Sequence, residues 1–339
     1  MSELFELHRK LVRVAAPSGF EDRAAALIKE LAAPYCDEMT VDNLGNILCH
    51  KKGNGKKILM AAHMDAIGLM VSYIDQEGFL YVTPLGGFSA GKGVGLRVRF
   101  LNGTQGIVRV REQDKNVYGG KAGSIARTDT FIDIGVTSRE EAEACVRVGD
   151  VCVYTGEPHL AAGGNVIGPY ADDYIGCAVL LEVLKNLEAP ENDVYIAFTA
   201  QEEIGSHGAT PLAEGLEPDI AIAVDITAAT DTPEHDKAPS DIALGKGIAL
   251  KIKDSCMIAH LALNRALRET AQGCGVAVQD EVLLFGGTDA DVMQMSGRGV
   301  ATTAVSVPTR NTHMPAEIYN LNDAEGAVRV LTAFAAKAQ

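Results

Sequence analysis

The fold is decided by the stretch Lys57-Ile58-Leu59-Met60-Ala61-Ala62-His63-Met64-Asp65. It reads as a strand that is apolar on both faces and that gives way to His63 and Asp65 at its carboxyl end. Strands of this kind are typical of a sheet covered by helices. Ligands of such sheets bind beyond the carboxyl ends of the strands. The stretch therefore predicts an α/β fold with a functional site at this end of the sheet.

Three further apolar runs also lead into acidic or imidazole side chains. They are residues 194–200 before Glu202 and Glu203, residues 220–224 before Asp225, and residues 302–307, followed by a short loop to His313. Histidines and carboxylates that gather at one edge of a sheet indicate a divalent metal site.

The composition fits an ordinary globular protein. The chain has 339 residues, more than one compact core usually holds, so two domains are expected. Hydrophobic residues make up 47% and charged residues 22%. Trp is absent, which disfavours stacking on nucleic-acid bases. The formal net charge is -15, which would repel a phosphate backbone. We expect no nucleic-acid partner.

The cysteines and the N-terminus indicate the compartment. Seven cysteines are an odd number, and no two are spaced as Cys-x-x-Cys. This pattern favours a reducing cytoplasm over a disulfide framework or a thiolate zinc site. Charged residues interrupt the apolar positions of residues 1–19, unlike a secretory signal or a membrane span. We therefore expect a cytoplasmic protein with no membrane partner.

The periodicity predicts an α/β domain interrupted by a small all-β domain. Helices are predicted over 3–16, 173–188, 258–273 and 322–337, and Ser18-Gly19-Phe20-Glu21 reads as a capping box that opens another helix. Short alternating runs separated by glycine predict a β-rich domain inserted over 67–160. Residues 1–66 and 161–339 would then form the catalytic domain, a mixed sheet covered by helices.

The first candidate site residues each have an ordinary interpretation as well. His63 and Asp65 lie two apart, so both point to one side of a strand, where a carboxylate can support a metal-bound imidazole. Polar residues also end strands without any function. Asp172, next to Asp173 and before a helix, would bridge two cations or simply cap the helix.

The later candidates are ambiguous when taken singly. The side chains of Glu202 and Glu203 diverge, so one would bind a metal while the other accepts a proton from water, unless both lie in a solvated loop. Asp225 ends an apolar run, where an unpaired carboxylate is costly to bury. His313 alone would be a surface histidine. Together the donors suit zinc, cobalt or manganese, and one bridging carboxylate would hold two ions about 3.5 Å apart.

The chain resembles the M42 family of metallopeptidases, which includes glutamyl aminopeptidases, deblocking aminopeptidases and TET peptidases. The matching segments follow the family order along nearly the whole chain. They are APSGFED, VDNLGNI, AAHMDAIGLMV, FIDIG, YADDYIGCA, FTAQEEIGSHGA, AVDIT, GKG, FGGTDA and VPTRNTHMPAE.

The resemblance implies a zinc-exopeptidase-like fold and a binuclear site with two divalent cations per subunit, zinc or cobalt being favoured. It implies the following roles: Asp172 as the bridging ligand, His63 and Asp225 at one ion, Glu203 and His313 at the other, Glu202 as general base, and Asp65 as the residue that orients His63. It also implies that the 67–160 domain makes dimers and that the dimers assemble into a dodecamer.

The chain departs from the family pattern in three places. Ala66 stands where HMDE has its glutamate, Tyr174 replaces the arginine of DDR, and Ser206-His207 replaces Leu-Arg after EEVG. None of these changes removes a ligand or the base. The expected activity is therefore a metal-dependent aminopeptidase acting on peptides with a free N-terminus. A glycan hydrolase and a catalytically idle oligomeric scaffold are the alternatives.

Overall fold

The apolar strands of the sequence form one mixed sheet of eleven strands. The computed structural model describes residues 2–88, 90–110, 130–233 and 241–337. The strands of the sheet are β1 (Glu38–Val41), β2 (Ile47–Lys51), β3 (Lys57–His63), β10 (His159–Leu160), β11 (Asn165–Gly168), β12 (Asp193–Thr199), β13 (Ile220–Ala228), β14 (Ile248–Lys253), β15 (Val278–Val282), β16 (Ala301–Arg310) and β17 (Glu317–Asn320).

The centre of this sheet is parallel. Its main path runs β1-β2-β12-β3-β13-β16-β17-β11-β10, while β14 pairs with both β15 and β16. Strands β12, β3, β13 and β16 are mutually parallel neighbours. Their carboxyl ends therefore meet at one edge, the edge that the sequence predicts to hold the site.

Helices cover both faces of the sheet. They are α1 (Glu3–Arg13), α2 (Asp22–Ala32), α4 (Ala171–Asn186), α5 (Ala209–Leu216), α6 (Leu261–Gly273), α7 (Ala290–Gln294) and α8 (Leu321–Ala336). Along β3, Ile58, Met60 and Ala62 pack into the larger apolar core, which includes α1, α2, α4, α6 and α8. Leu59 and Ala61 pack into a smaller core with α5 and α7. The apolar run is thus buried on both sides, as predicted.

A closed six-stranded barrel lies between β3 and β10 in the chain. Its strands are β4 (Gly68–Ile74), β5 (Leu80–Leu85), β6 (Arg97–Phe100), β7 (Gln105–Val110), β8 (Thr130–Asp133) and β9 (Val151–Tyr154), and the short helix α3 (Arg139–Cys145) lies between β8 and β9. Residues 89 and 111–129 of the predicted 67–160 domain lie outside the described residues. The β-rich texture of this segment is what the glycine-separated runs predict.

One local prediction is wrong. Ser18 and Glu21 do not form a capping box, because α2 begins after Glu21 and no side chain caps it. The Ser18 hydroxyl donates instead to Asp65 Oδ2 at 2.6 Å. A deeply buried carboxylate nearby competes successfully for this hydroxyl. Among the described residues, no helix is long and apolar enough to cross a membrane.

Candidate metal centre and active site

The structure brings all seven candidate residues to the carboxyl edge of the parallel strands. His63 ends β3, and Asp225 lies within β13, opposite Ser306 of β16. The others come from four places in the chain: Glu202 and Glu203 follow β12, Asp172 lies at the start of α4, Asp65 follows β3, and His313 lies between β16 and β17. Residues that are far apart in sequence thus meet because four parallel strands end together.

Asp172 lies at the centre of this group. Its Oδ1 is 3.1 Å from His63 Nε2, and its Oδ2 is 3.2 Å from His313 Nε2. Each oxygen of one carboxylate therefore faces a different imidazole. The donors form two sets in which ligand atoms lie within 4.8 Å of one another: His63, Asp173 and Asp225 in one, and Asp172, Glu203 and His313 in the other.

At the start of α4, the adjacent residues Asp172 and Asp173 have different contacts: one faces the site and the other caps the helix. Tyr170 has a φ of 59°, and the Asp172–Asp173 peptide is cis. Asp173 Oδ1 accepts from Gly176 N at 3.1 Å, which is a helix-capping bond, and its Oδ2 accepts from His63 N at 3.2 Å. Asp173 thus caps the helix and holds the His63 backbone. Asp172 is left with both oxygens facing the site.

The Asp65 carboxylate contacts other parts of the site besides the His63 ring. Its Oδ1 accepts from Glu202 N at 3.0 Å, and its Oδ2 accepts from Glu203 N at 3.2 Å. His63 Nδ1 lies 3.0 Å from the Asp65 carbonyl and 3.4 Å from Oδ1. One fully buried carboxylate therefore fixes the backbone of both glutamates as well as the neighbourhood of His63.

The two glutamates point to different parts of the site. Glu202 Oε2 is 4.0 Å from His63 Nε2, whereas Glu203 Oε2 is 3.6 Å from His313 Nε2. Glu203 Oε1 is buried and has no hydrogen-bond partner among the described residues. A buried carboxylate oxygen without a donor is costly. A cation beside Glu203 would remove that cost.

The charges of the site also fit bound cations. Burial, with Asp172 nearby, raises the pKa of Glu203 to about 8 and that of Asp225 to about 7. Burial likewise raises the pKa of Glu202 well above its ordinary value. Burial opposes protonation of His313, but the hydrogen bond with Asp172 raises its pKa to about 11. Carboxylates packed this densely need positive charge, and divalent cations with nitrogen and oxygen ligands supply it.

Two buried acids at the site have no role in the sequence analysis. Glu317 Oε1 accepts from His313 N and Oε2 accepts from Asp172 N, each at 3.1 Å. Asp289 Oδ2 accepts from Thr199 Oγ1 at 2.5 Å and lies near Glu202. Both occur in segments that carry the family resemblance, FGGTDA and THMPAE, which is the only sequence signal for them.

A cavity of about 820 Å³ opens beside the candidate ligands. The barrel contributes Gly87 and Lys92 to its wall, and His313 Nδ1 lies 3.2 Å from the Gly87 carbonyl. The wall also includes Thr227, Ala228 and Phe285. The site is therefore shared between the α/β domain and a loop of the barrel.

The residues that depart from the family pattern lie close in the chain to candidate site residues. Ala66 is buried and its N–H donates to Ala16 O at 3.0 Å. Tyr174 is also buried, and its hydroxyl accepts from Ala16 N at 3.2 Å. Ser206 is buried, while His207 is exposed. Ala66 and Tyr174 thus contact the same segment of chain, and neither is a donor to the candidate metal sets.

The fold and the site together define the class of this protein: it is an α/β protein with carboxylate and imidazole donors clustered at the carboxyl ends of its parallel strands. Comparison with known proteins agrees with this class. The family model of M42 glutamyl aminopeptidases matches residues 45–330. The lysyl aminopeptidase of Pyrococcus furiosus is 32% identical over 97% of this chain and 96% of the relative.

Solved structures point the same way. An aminopeptidase of the archaeon Desulfurococcus kamchatkensis has a TM-score of 0.92 at 35% identity and covers 98% of this chain and 94% of its own. A TET peptidase of Pyrococcus horikoshii, which can assemble into a tetrahedron or a large octahedral shell, has a TM-score of 0.88 at 32% identity and covers 98% and 99%. This chain belongs to the M42 family, which is metal-dependent, and it is an aminopeptidase. The predicted family and fold class are confirmed.

Proposed function

We propose that this aminopeptidase removes N-terminal residues from short peptides at a centre of two divalent metal ions. One observation carries the proposal: the two oxygens of Asp172 face two different imidazoles, at 3.1 and 3.2 Å. A carboxylate in this position suits a bridge between two cations.

The proposed ligand sets follow from this bridge. Asp172 would be shared, His63 and Asp225 would hold one ion, and Glu203 and His313 would hold the other. The mixture of nitrogen and oxygen donors favours zinc or cobalt. Bound there, two such ions would supply Lewis-acid chemistry for polarising the scissile carbonyl and lowering the pKa of an attacking water.

Glu202 would act as the general base and then as the general acid. It is adjacent to Glu203 in the chain, and its Oε2 lies 4.0 Å from His63 Nε2, so its carboxylate reaches the site without taking part in either set of clustered donors. It would accept the proton of the attacking water and deliver it to the amine that leaves. Asp65 would keep the two glutamates in place through their backbone N–H groups.

The substrate would enter by the cavity beside the ligands. Its free α-amine would meet the carboxylates of the site, and its first side chain would lie against the wall that includes Thr227 and Ala228. An extended peptide chain would leave through the open side of the cavity. These features support peptides with a free N-terminus as substrates.

The protein is also proposed to act as a homo-oligomer in the cytoplasm. The barrel would form the dimer contact, and dimers would assemble into a dodecamer, which is supported by the tetrahedron of the Pyrococcus horikoshii relative. The cysteines of the described chain are free, as expected in a reducing compartment.

The direct test compares wild-type protein with Glu202→Gln on aminoacyl-4-nitroanilides after loading with zinc or cobalt. We expect the variant to keep its metal content, measured by mass spectrometry, and to lose 10²-fold or more of its turnover, since general acid–base catalysis contributes about 10²–10⁴-fold. Exposed Glu188→Gln is the matched control. Full activity of Glu202→Gln would refute the role of Glu202. Activity on glucans, or none on peptides, would favour the glycan-hydrolase or scaffold alternative.

A further inference from the structure

The active-site cavity has one positively charged side chain that no other described residue neutralises. Among the described residues that line the cavity, the only lysine or arginine side chains are Lys92 and Lys251. Lys251 is fully buried, and its Nζ lies 2.7 Å from Glu281 Oε1 and 3.4 Å from Asp254 Oδ2. Lys92 is exposed and has no ion pair or hydrogen bond with another described residue. Its ammonium group is therefore available to a bound molecule.

The other charges of the cavity wall favour a peptide bound in one direction. Asp172, Glu202 and Asp225 line the cavity, and Lys92 forms no ion pair with any of them, so its ammonium group lies apart from these acids. The α-amine of a peptide is attracted to the acids, whereas its C-terminal carboxylate is repelled by them. A peptide that ends inside the cavity therefore needs a cation for its carboxylate, and Lys92 offers one.

Lys92 lies in the segment of the barrel between β5 and β6, which is held on both sides of it. The buried Phe88 ring packs edge-to-face on Tyr154, with ring centroids 6.2 Å apart. Gly93 approaches the same Tyr154 ring so closely that an added Cβ would overlap it. The Gly93 carbonyl also accepts from Leu96 N at 3.0 Å. The backbone therefore presents Lys92 at a defined place in the wall.

The chain itself limits how far Lys92 lies from the candidate metal ligands. The Gly87 carbonyl is 3.2 Å from Nδ1 of the candidate ligand His313, and Ala90–Gly93 forms a 3₁₀ turn. An extended residue spans at most about 3.6 Å, and a 3₁₀ residue about 2 Å, so the Lys92 Cα lies within about 15 Å of the Gly87 Cα. An extended peptide of four residues spans about 14 Å. Peptides of up to about this length can reach from the ligands to Lys92.

We infer that Lys92 binds the C-terminal carboxylate of substrates of two to four residues and so favours them over longer peptides. The inference rests on the proposed function, in which the α-amine of the peptide lies at the carboxylates of the site. A cavity of about 820 Å³ has the size that encloses most of a small ligand, so both ends of such a peptide fit inside. A longer peptide would carry its carboxylate out through the open side, beyond Lys92.

The test compares each peptide with its C-terminal amide, which lacks the carboxylate. A panel of aminoacyl-4-nitroanilides first gives the preferred N-terminal residue X, and the metal-loaded enzyme then hydrolyses X-Gly-Gly and X-Gly-Gly-NH₂. We expect kcat/KM to be about five-fold higher for the free acid, with most of the difference in KM, since this is the factor that a solvent-exposed ion pair at the upper end of the usual range provides. For a peptide of eight residues, the acid-to-amide ratio should fall to about one.

Substitutions assign the effect to Lys92. Lys92→Gln should bring the acid-to-amide ratio for X-Gly-Gly close to one, whereas Lys92→Arg, which keeps the charge, should keep the wild-type ratio. Lys29→Gln removes an exposed lysine of α2 that does not line the cavity, and as the matched control it should also keep this ratio. X-Gly-Asp-NH₂ and X-Gly-Asn-NH₂ test a side-chain carboxylate as the alternative source. A Lys92-dependent gain for the aspartyl amide, with none for X-Gly-Gly, would overturn the assignment to the C-terminus.

The outcomes separate this inference from the proposed function. A wild-type ratio of one for X-Gly-Gly, or an unchanged ratio in Lys92→Gln, would overturn only the role of Lys92, because hydrolysis itself is still observed. If Lys92→Gln failed to fold, the wild-type ratio would be compared at low and high salt, since salt screens an exposed ion pair; a ratio that salt does not lower would overturn the inference. A wild-type enzyme that hydrolyses none of these compounds would overturn the proposed function and the inference with it.

Discussion

Replacing Asp65 by asparagine should weaken both the fold and the catalytic site. The Asp65 carboxylate accepts from Ser18 Oγ, Glu202 N and Glu203 N and is fully buried. Asparagine has one acceptor oxygen, so its NH₂ group would face one of the two backbone N–H donors whichever way the amide turns.

The magnitude follows from these contacts. The change removes one hydrogen bond to a charged acceptor, worth about 1.5–3 kcal/mol, and leaves a buried donor without a partner. We expect a loss of about 2–4 kcal/mol in the free energy of unfolding. Because the backbone of Glu202 and Glu203 would shift, turnover or metal affinity should fall by about 10–100-fold, as for other groups that orient metal ligands.

The assay combines thermal unfolding, metal content and hydrolysis of an aminoacyl-4-nitroanilide. Glu188→Gln, an exposed acid-to-amide change, should leave all three unchanged. An Asp65→Asn protein that unfolds at the wild-type temperature and keeps wild-type turnover would show that the three hydrogen bonds do not hold the site. Loss of stability with full turnover would restrict Asp65 to a structural role.

Three further predictions concern His8, Gly86 and removal of the metal. Burial lowers the pKa of His8 to about 4 in the folded protein, from the ordinary value of 6.5. The unfolded chain therefore binds a proton at a higher pH than the folded protein does, and about 3 kcal/mol of stability that is present in full above pH 6.5 is lost as the pH falls to 4. Thermal unfolding between pH 7 and 4.5 should show a smaller pH dependence in His8→Gln than in wild type. Gly86 has a φ of 93°, and an added Cβ would lie 2.9 Å from Glu203 Oε2; Gly86→Ala should therefore reduce metal content and turnover, and full metal content would contradict this. Removal of the metal by a chelator should abolish turnover and lower the unfolding temperature, and added zinc or cobalt should restore both; a chelated enzyme with full turnover would exclude the proposed centre.

The convergence of the candidate residues could be predicted from the sequence because it follows from topology. His63, Glu202, Glu203 and Asp225 lie on or after strands whose apolar character on both faces indicates a parallel sheet, and parallel strands end at one edge. His313 was indicated less directly, since it lies a short loop beyond the apolar run 302–307 and a lone histidine there would be a surface residue. Its role as a ligand beside Glu203 came from the resemblance to the family.

The supporting contacts could not be read from the sequence. Glu317 and Asp173 each accept two backbone N–H bonds, and these acceptors are set by the exact course of loops rather than by periodicity. Ser18 illustrates the same limit, because its spacing to Glu21 fits a capping box while its hydroxyl binds Asp65. Local patterns cannot reveal a partner that arrives from a distant part of the chain.

The central claim is that Asp172 bridges two divalent cations. A zinc-soaked crystal, with anomalous diffraction collected at the zinc absorption edge, tests it most directly. We predict two anomalous peaks per subunit, one contacting Asp172, His63 and Asp225 and the other contacting Asp172, Glu203 and His313. A single peak, or peaks that do not contact Asp172, would contradict the account.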